Sequence, residues 1–175
     1  MYEEFNRFYR ARLKRDMNKE VAKKNLFDFA DLLEAENVPF LLIYGTLLGA
    51  VRDQDFISHD SDVDLATLSE NYATVREICH SPKFGKYGFQ LVRDSKHLIS
   101  VLRKEEHIDL YFFSDCESEY RCMSFRIAGE QLRDGHSRIE FLGRTFCTVK
   151  NPVADLRWRY GDDWKTPKRN YHAPW

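Results

Sequence analysis

No stretch of this 175-residue chain approaches the roughly 18 consecutive apolar residues that a membrane-crossing helix requires. The first 24 residues are charged throughout, so no secretory signal is expected. Cysteine is scarce and unpatterned. Cys79, Cys116, Cys122 and Cys147 form neither a Cys-x-x-Cys pair nor the short regular spacings of a zinc site or disulfide framework, so reduced thiols packed as small hydrophobes are expected. No Asn-x-Ser/Thr acceptor occurs, and there is no internal repeat or low-complexity linker. An excess of one charge is also missing: 27 basic residues against 28 acidic ones leave a net charge of −1, which argues against a general nucleic-acid coat. These absences point to a soluble, cytoplasmic protein with no nucleic-acid partner. The length fits a single domain over residues 1–175, able to bury most of the apolar surface its unfolded form would expose.

What is present is helical pattern toward both ends and short strand patterns between. Phe5, Phe8, Tyr9, Leu13, Met17 and Val21 recur at three- and four-residue steps, one apolar stripe of a helix over residues 3–21. Residues 1–24 hold eight Lys/Arg against four Asp/Glu, and this basic face is either solvated or turned toward an anionic membrane surface or a larger synthase. A second helical pattern runs through Leu26, Phe29, Ala30 and Leu33 and ends at Asn37 and Pro39. Phe40 to Tyr44 is a continuous apolar run bounded by Pro39 and Gly45, which reads as a buried strand. Tyr72 to Cys79 returns to helical spacing. Short extended segments follow at Phe89–Val92, Leu98–Leu102 and Ile108–Phe113, an order that favours antiparallel or mixed pairing over a doubly wound parallel sheet. Ser114–His136 carries little pattern beyond a short strand at Met123–Ile127. Residues 138–149 read as a hairpin around Leu142-Gly143-Arg144, and Asn151-Pro152 opens a last helix that Gly161 ends. The expected organisation is helices over 1–37, a sheet core over 38–150, and a helix with a tail over 151–175.

The chemistry is concentrated between Tyr44 and Leu65. If residues 62–66 form a strand, Asp62 and Asp64 share one face while Val63 and Leu65 enter the core. Neighbouring carboxylates repel and aspartate suits a strand interior poorly, so the pair asks for a cation. A divalent ion with hard oxygen ligands, magnesium above all, meets that need, with phosphate and water completing its shell. The alternative is a plain acidic loop through Asp60, Asp62 and Asp64. Asp109, in His-Ile-Asp-Leu-Tyr-Phe, lies on the polar face of a second strand pattern. Pairing the two strands with their aspartates on one side would yield three carboxylates, enough for one or two metal ions. Upstream, Gly45-Thr46 precedes a helix from Leu47, a place where backbone N–H groups and the helix dipole favour phosphate. Arg52 offers a bidentate contact to phosphate, or a salt bridge to Asp53 or Asp55. His59 beside Asp60 is either a proton-transfer group or a solvated loop residue.

These residues carry a resemblance. Gly45-Thr46-Leu47-Leu48-Gly49-Ala50-Val51-Arg52, then Phe56-Ile57, then Asp60-Ser61-Asp62-Val63-Asp64-Leu65 resemble the signature of the LicD/fukutin-related phosphotransferases, within the nucleotidyltransferase-fold superfamily. Arg159-Tyr160-Gly161-Asp162-Asp163-Trp164-Lys165-Thr166-Pro167 is similar to the family's closing Tyr-Gly-x-x-Trp-x-x-Pro. The chain departs from the pattern at Ser58-His59, where a Pro-Trp pair often precedes the aspartates, and at Ser61, which replaces the second aspartate. The resemblance implies an α+β fold, a nucleotidyltransferase-like mixed β-sheet flanked by helices with the N-terminal helices on one side. It implies Mg2+ or Mn2+ on Asp62, Asp64 and Asp109, which are also the catalytic residues. It further implies a CDP-activated alcohol donor whose phosphocholine, ribitol phosphate or glycerol phosphate unit passes to a saccharide or glycan acceptor in cell-surface glycan synthesis. The substrate contacts expected are Gly45, Thr46, Arg52, His59, Asp60, Tyr160, Asp163 and Trp164. Tyr160 and Trp164 either stack on a base or sugar or pack in the core. Two other readings stay open: a nucleotidyltransferase moving NMP from an NTP to a small molecule or protein, and a non-catalytic binding or assembly module. The expected location is cytoplasmic, or peripheral to the inner face of a membrane through the basic N-terminal helix.

Overall fold

The structure, a computed structural model, describes residues 16–133 and 135–168. The apolar stripe through Phe5, Phe8, Tyr9 and Leu13, and most of the basic N-terminal face, lie outside the described residues. Helix α1 (Lys19–Ala35) starts at Asn18, whose side chain accepts a hydrogen bond from the Val21 amide at 3.2 Å. Met17 and Val21 therefore do not share one helix, contrary to the stripe expected over 3–21, because the cap at Asn18 begins a new helix between them. The C-terminal end follows expectation. Asn37 takes a left-handed φ of 56°, and the Val38 amide turns back to the Leu33 carbonyl at 2.9 Å. Leu26, Phe29, Ala30 and Leu33 are fully buried.

The apolar run after Pro39 is a strand only over β1 (Leu41–Leu42); Tyr44 swings to a φ of 49° and opens helix α2 (Tyr44–Arg52). A short apolar run reports burial, and burial alone does not separate strand from helix. Strand β2 (Asp62–Leu68) follows, then a 3-10 turn (Ser69–Asn71), α3 (Tyr72–His80) and α4 (Pro82–Lys86). Strands β3 (Gln90–Ser95), β4 (Leu98–Arg103) and β5 (Glu106–Cys116) are joined as antiparallel neighbours. The weakly patterned segment after Phe113 extends β5, adds β6 (Glu119–Cys122) and the short helix α5 (Glu130–Arg133), and places β7 (Phe125–Ala128) where a short strand was expected. Its strands bury Tyr120, Cys122 and Ile127 between exposed polar residues, a mix that hides the period in so short a run. The hairpin β8 (Ser137–Phe141) and β9 (Arg144–Thr148) lies where expected, and α6 (Pro152–Tyr160) is capped by Asn151 and ended by Gly161 at a φ of 85°.

These strands form one mixed sheet in the order β3-β4-β5-β2-β1-β9-β8, with β6 and β7 branching from β5. The central pair, β2 with β5, is parallel; β1 runs antiparallel to β2 and parallel to β9. The α+β class and mixed pairing expected from the sequence are what the chain adopts. Among the described residues no helix is long and apolar enough to cross a membrane.

Candidate active site

The alternation of β2 works as a sorting device. Val63 and Leu65 are completely buried on one face, and Asp62 and Asp64 stand on the other. Strand β5 does the same with Ile108 and Leu110 against His107 and Asp109. The parallel register sets Asp64 level with Asp109 and Asp62 level with His107, while β4 brings Ser100 level with Asp109 from the opposite side. Three carboxylates thus share one face of the sheet at the starts of its two central strands. Asp64 and Asp109 are 8% and 4% exposed.

Burial, and then repulsion from Asp62, Asp60 and Asp109, pushes the Asp64 carboxyl well above its ordinary range, against a stabilising hydrogen bond from the Gly45 amide. Asp109 is raised by burial and by Asp62, with the Ser100 hydroxyl and the Arg93 guanidinium working the other way. Among the described residues, no three His, Cys, Asp or Glu side chains converge into a ready-made metal cage. What the row provides is a hard, all-oxygen donor set under mutual repulsion. That set fits a magnesium-type ion, which keeps waters and substrate phosphates in its shell and takes only one or two protein carboxylates.

The Ile43–Thr46 turn holds Asp64 by each of its polar groups. The Ile43 amide donates to the Asp64 carbonyl at 3.3 Å, the Thr46 hydroxyl accepts from the Asp64 amide at 2.8 Å, and the Gly45 amide meets the carboxylate. Thr46 is buried, so its oxygen serves the strand. Gly45 is needed for space: a Cβ there would collide with the Asp60 carboxylate, which accepts from the Ser61 amide at 3.0 Å. Gly49 is needed for the same reason one turn on, where a Cβ would stand 2.5 Å from the Asp55 carbonyl oxygen. The two glycines of the motif therefore let the 55–60 loop lie flat on α2.

Beside Asp60 is a cavity of about 270 Å³, which gathers residues from both sequence motifs. Gly45 and Arg52 come from α2, His59 and Asp60 from the loop, and Tyr160, Trp164, Thr166 and Lys168 from the C-terminal stretch. Arg52 reaches this wall already in a two-pronged pair with Asp53, at 2.8 and 2.7 Å, which also raises its pKa. Trp164 is 4% exposed and so packs as core while edging the cavity. Tyr160 has its phenol raised by burial and by Asp64. Asp163 lies outside the lining and pairs with Lys168 at 2.6 Å, which lowers its pKa. Lys168, Ser100 and His107 were not singled out from the sequence. His107 was legible as the residue two before Asp109 on the same strand face, whereas Ser100 and Lys168 follow only from register and chain path.

The nucleotidyltransferase-domain model described as LicD/FKTN/FKRP matches residues 37–142. An uncharacterized protein of Rickettsia typhi is 31% identical over 86 residues, 49% of this chain and 26% of that protein. An uncharacterized protein of Caenorhabditis elegans is 41% identical over 75 residues, 43% of this chain and 19% of that protein. The matched stretch is thus about a fifth to a quarter of the length of these curated relatives. Among solved structures, the solution structure of the antibiotic-resistance factor ANT(2″)-Ia superposes with a TM-score of 0.56 at 12% identity, covering 75% of this chain and 66% of that one. The crystal structure of ANT(2″)-Ia in complex with adenylyl-2″-tobramycin gives 0.52 at 12% identity, covering 73% and 68%. At that identity the likeness concerns the fold.

Proposed function

The chain belongs to the family of the LicD/FKTN/FKRP nucleotidyltransferase domain, and from that premise we propose that it moves a phospho-alcohol unit from a CDP-linked donor to a saccharide acceptor. A transferase of phosphorus-containing groups is the coarse assignment that family and fold support; the donor, acceptor and metal are the proposed part. The observation that carries the reading is the row of Asp62, Asp64 and Asp109 on one face of β2 and β5, with Asp64 level with Asp109 and, among the described residues, no cation paired to Asp64.

Asp62, Asp64 and Asp109 would hold Mg2+ or Mn2+, whose charge, when the ion is bound, would offset that of the donor pyrophosphate. The chain's own residues supply placement. The first turn of α2 fixes the Asp64 carboxylate through the Gly45 amide. Asp60, held against Gly45, faces the cavity from the loop and is positioned to orient an acceptor hydroxyl or take its proton. Arg52, His59 and Lys168 form the polar side of that cavity and Tyr160 and Trp164 its aromatic side, a combination suited to a hydroxylated ring. The loop at Ser58-His59, where the family pattern is broken, borders this cavity and is proposed to set acceptor choice.

The test is a melting panel with CDP-choline, CDP-ribitol, CDP-glycerol, CTP, ATP and UTP, each with and without Mg2+, followed by the mass of the product formed. One CDP-alcohol should raise the melting point only with the metal, and the acceptor should gain a phospho-alcohol. A second reading, transfer of a nucleotide from an NTP, draws on the fold shared with ANT(2″)-Ia, whose solved complex carries an adenylyl-tobramycin. A product heavier by a nucleotide would replace the first reading with that one. Metal binding without turnover on any donor would favour a binding module.

A further inference from the structure

The row of carboxylates does not end at β5. On β4, Ser100 stands level with Asp109, and on β3, Arg93 stands level with Ser100, so one line of side chains on the polar face runs Arg93, Ser100, Asp109, Asp64 over four neighbouring strands. Arg93 reaches this face through an irregularity. The register of β3 on β4 shifts between Leu91 and Arg93, which leaves Val92 as an inserted residue. Without that bulge, Val92 would stand opposite Ser100, and Arg93 would stand opposite the fully buried Ile99 on the other face. A charge on an edge strand discourages edge pairing whichever face it takes, whereas a bulge beside a functional site re-aims one particular side chain. The side chain re-aimed here is a cation.

Arg93 is half-buried and, among the described residues, makes no hydrogen bond or ion pair. On this face of β3, β4, β5 and β2 it is the only lysine or arginine, and its charge favours the ionised form of Asp109 without pairing with it. The backbones of β3 and β5 are two strand spacings apart, about 10 Å. The cavity beside Asp60 lies at the α2 end of the row and Arg93 at the other end. We propose that Arg93 is a substrate-contacting residue that takes phosphate oxygens of the donor pyrophosphate, across the carboxylate row from the acceptor cavity. The planar fork of a guanidinium suits two oxygens of one phosphate. This assignment rests on the reading of the row as a metal-dependent transferase site, and it holds equally for a CDP-linked donor and for an NTP. Product mass decides which donor is used; affinity for pyrophosphate itself decides the role of Arg93.

Calorimetric titration of the full chain with inorganic pyrophosphate in excess Mg2+ should give an affinity about tenfold or more weaker in Arg93→Gln. The melting point should not change, because the substitution leaves no partner unpaired. CDP should lose affinity by the same factor, and Arg93→Lys, which keeps the charge without the fork, should lose less than Arg93→Gln. Mn2+ titrated alone, followed by the paramagnetic signal of the free ion, should bind Arg93→Gln as tightly as the wild-type chain or more tightly, since a like charge has left its surroundings. No pyrophosphate binding by the wild-type chain, equal affinity in Arg93→Gln, or a loss for CDP with none for pyrophosphate would each overturn the proposal. So would weaker Mn2+ binding in Arg93→Gln, which would make Arg93 a counter-ion that serves Asp109.

Discussion

Arg103 and Asp64 are both ionisable and both buried, and the molecule treats them in opposite ways. Around Arg103, at the corner of α1 and β4, the Asn25 side-chain oxygen accepts at 2.6 Å and the Tyr87 carbonyl at 3.0 Å. The Asp28 carboxylate stands 2.7 Å away, and the guanidinium lies 4.4 Å from the Phe89 ring centroid. Asp28 is drawn down in pKa by its hydrogen bonds to Lys24 and Arg103, against the opposing effect of burial. Around Asp64 three further carboxylates, Asp62, Asp60 and Asp109, repel its charge, and burial acts in the same direction. A buried charge surrounded by its complements holds two elements in register, here α1 and the β4–β5 corner. A buried charge surrounded by its like is a local cost that folding alone does not explain, and such sites are where function is to be sought.

Removing one member from each region separates the two roles. Asp64→Asn and Asp109→Asn should each lower transfer by about a thousandfold or more, equivalent to about 4 kcal/mol of barrier. The melting point should hold or rise by about 2–4 °C for each kcal/mol of relieved repulsion. Turnover and thermal melts on the same preparations decide it, and a variant that loses fold and activity together would make the aspartates structural. Arg103→Ala should do the reverse. Losing the guanidinium leaves the buried Asn25 side-chain oxygen without its donor and Asp28 with Lys24 alone, and should cost about 3 kcal/mol in denaturant titration, with turnover per folded molecule preserved. A smaller effect sits between the regions: Thr46→Val strips the acceptor from the buried Asp64 amide and should cost about 1–3 kcal/mol. Turnover should fall with it, because that contact also sets the strand beneath the carboxylate. At the quiet end, Arg76 and Asp94 are joined at 2.8 Å on the surface, and Arg76→Ala should leave the melting curve unchanged within error.

Much of the frame was legible before the structure. Asn151, Pro152 and Gly161 mark the limits of α6, and Leu142-Gly143 the β8–β9 turn, because caps and turns depend on a few neighbouring residues. Misreadings arose where a local signal had two physical causes. The run Phe40–Tyr44 is apolar throughout because it is buried, yet it changes from strand to helix within itself. The Met17–Val21 spacing fits one helix, yet α1 begins only after its cap at Asn18 and leaves Met17 outside it. Of the β6–β7 arm, the strand expected at Met123–Ile127 is β7, whereas β6 carries no readable period because its four residues alternate charged with buried side chains inside a polar stretch.

The candidate site divides along the same line. That Asp62 and Asp64 share a face follows from the two-residue period of any strand, and the chain order alone determines it. That Asp109 stands level with Asp64 rather than one step away depends on the register of two strands more than 40 residues apart in sequence. The pairing of Arg52 with Asp53, the collision that keeps residue 45 a glycine, and the arrival of Tyr160 and Lys168 beside His59 were likewise decided in three dimensions. Each depends on how α2, the 55–60 loop and the C-terminal stretch pack together. Local geometry repeats with a fixed period and can be read along the chain, whereas contact across elements is set by the core that forces them together.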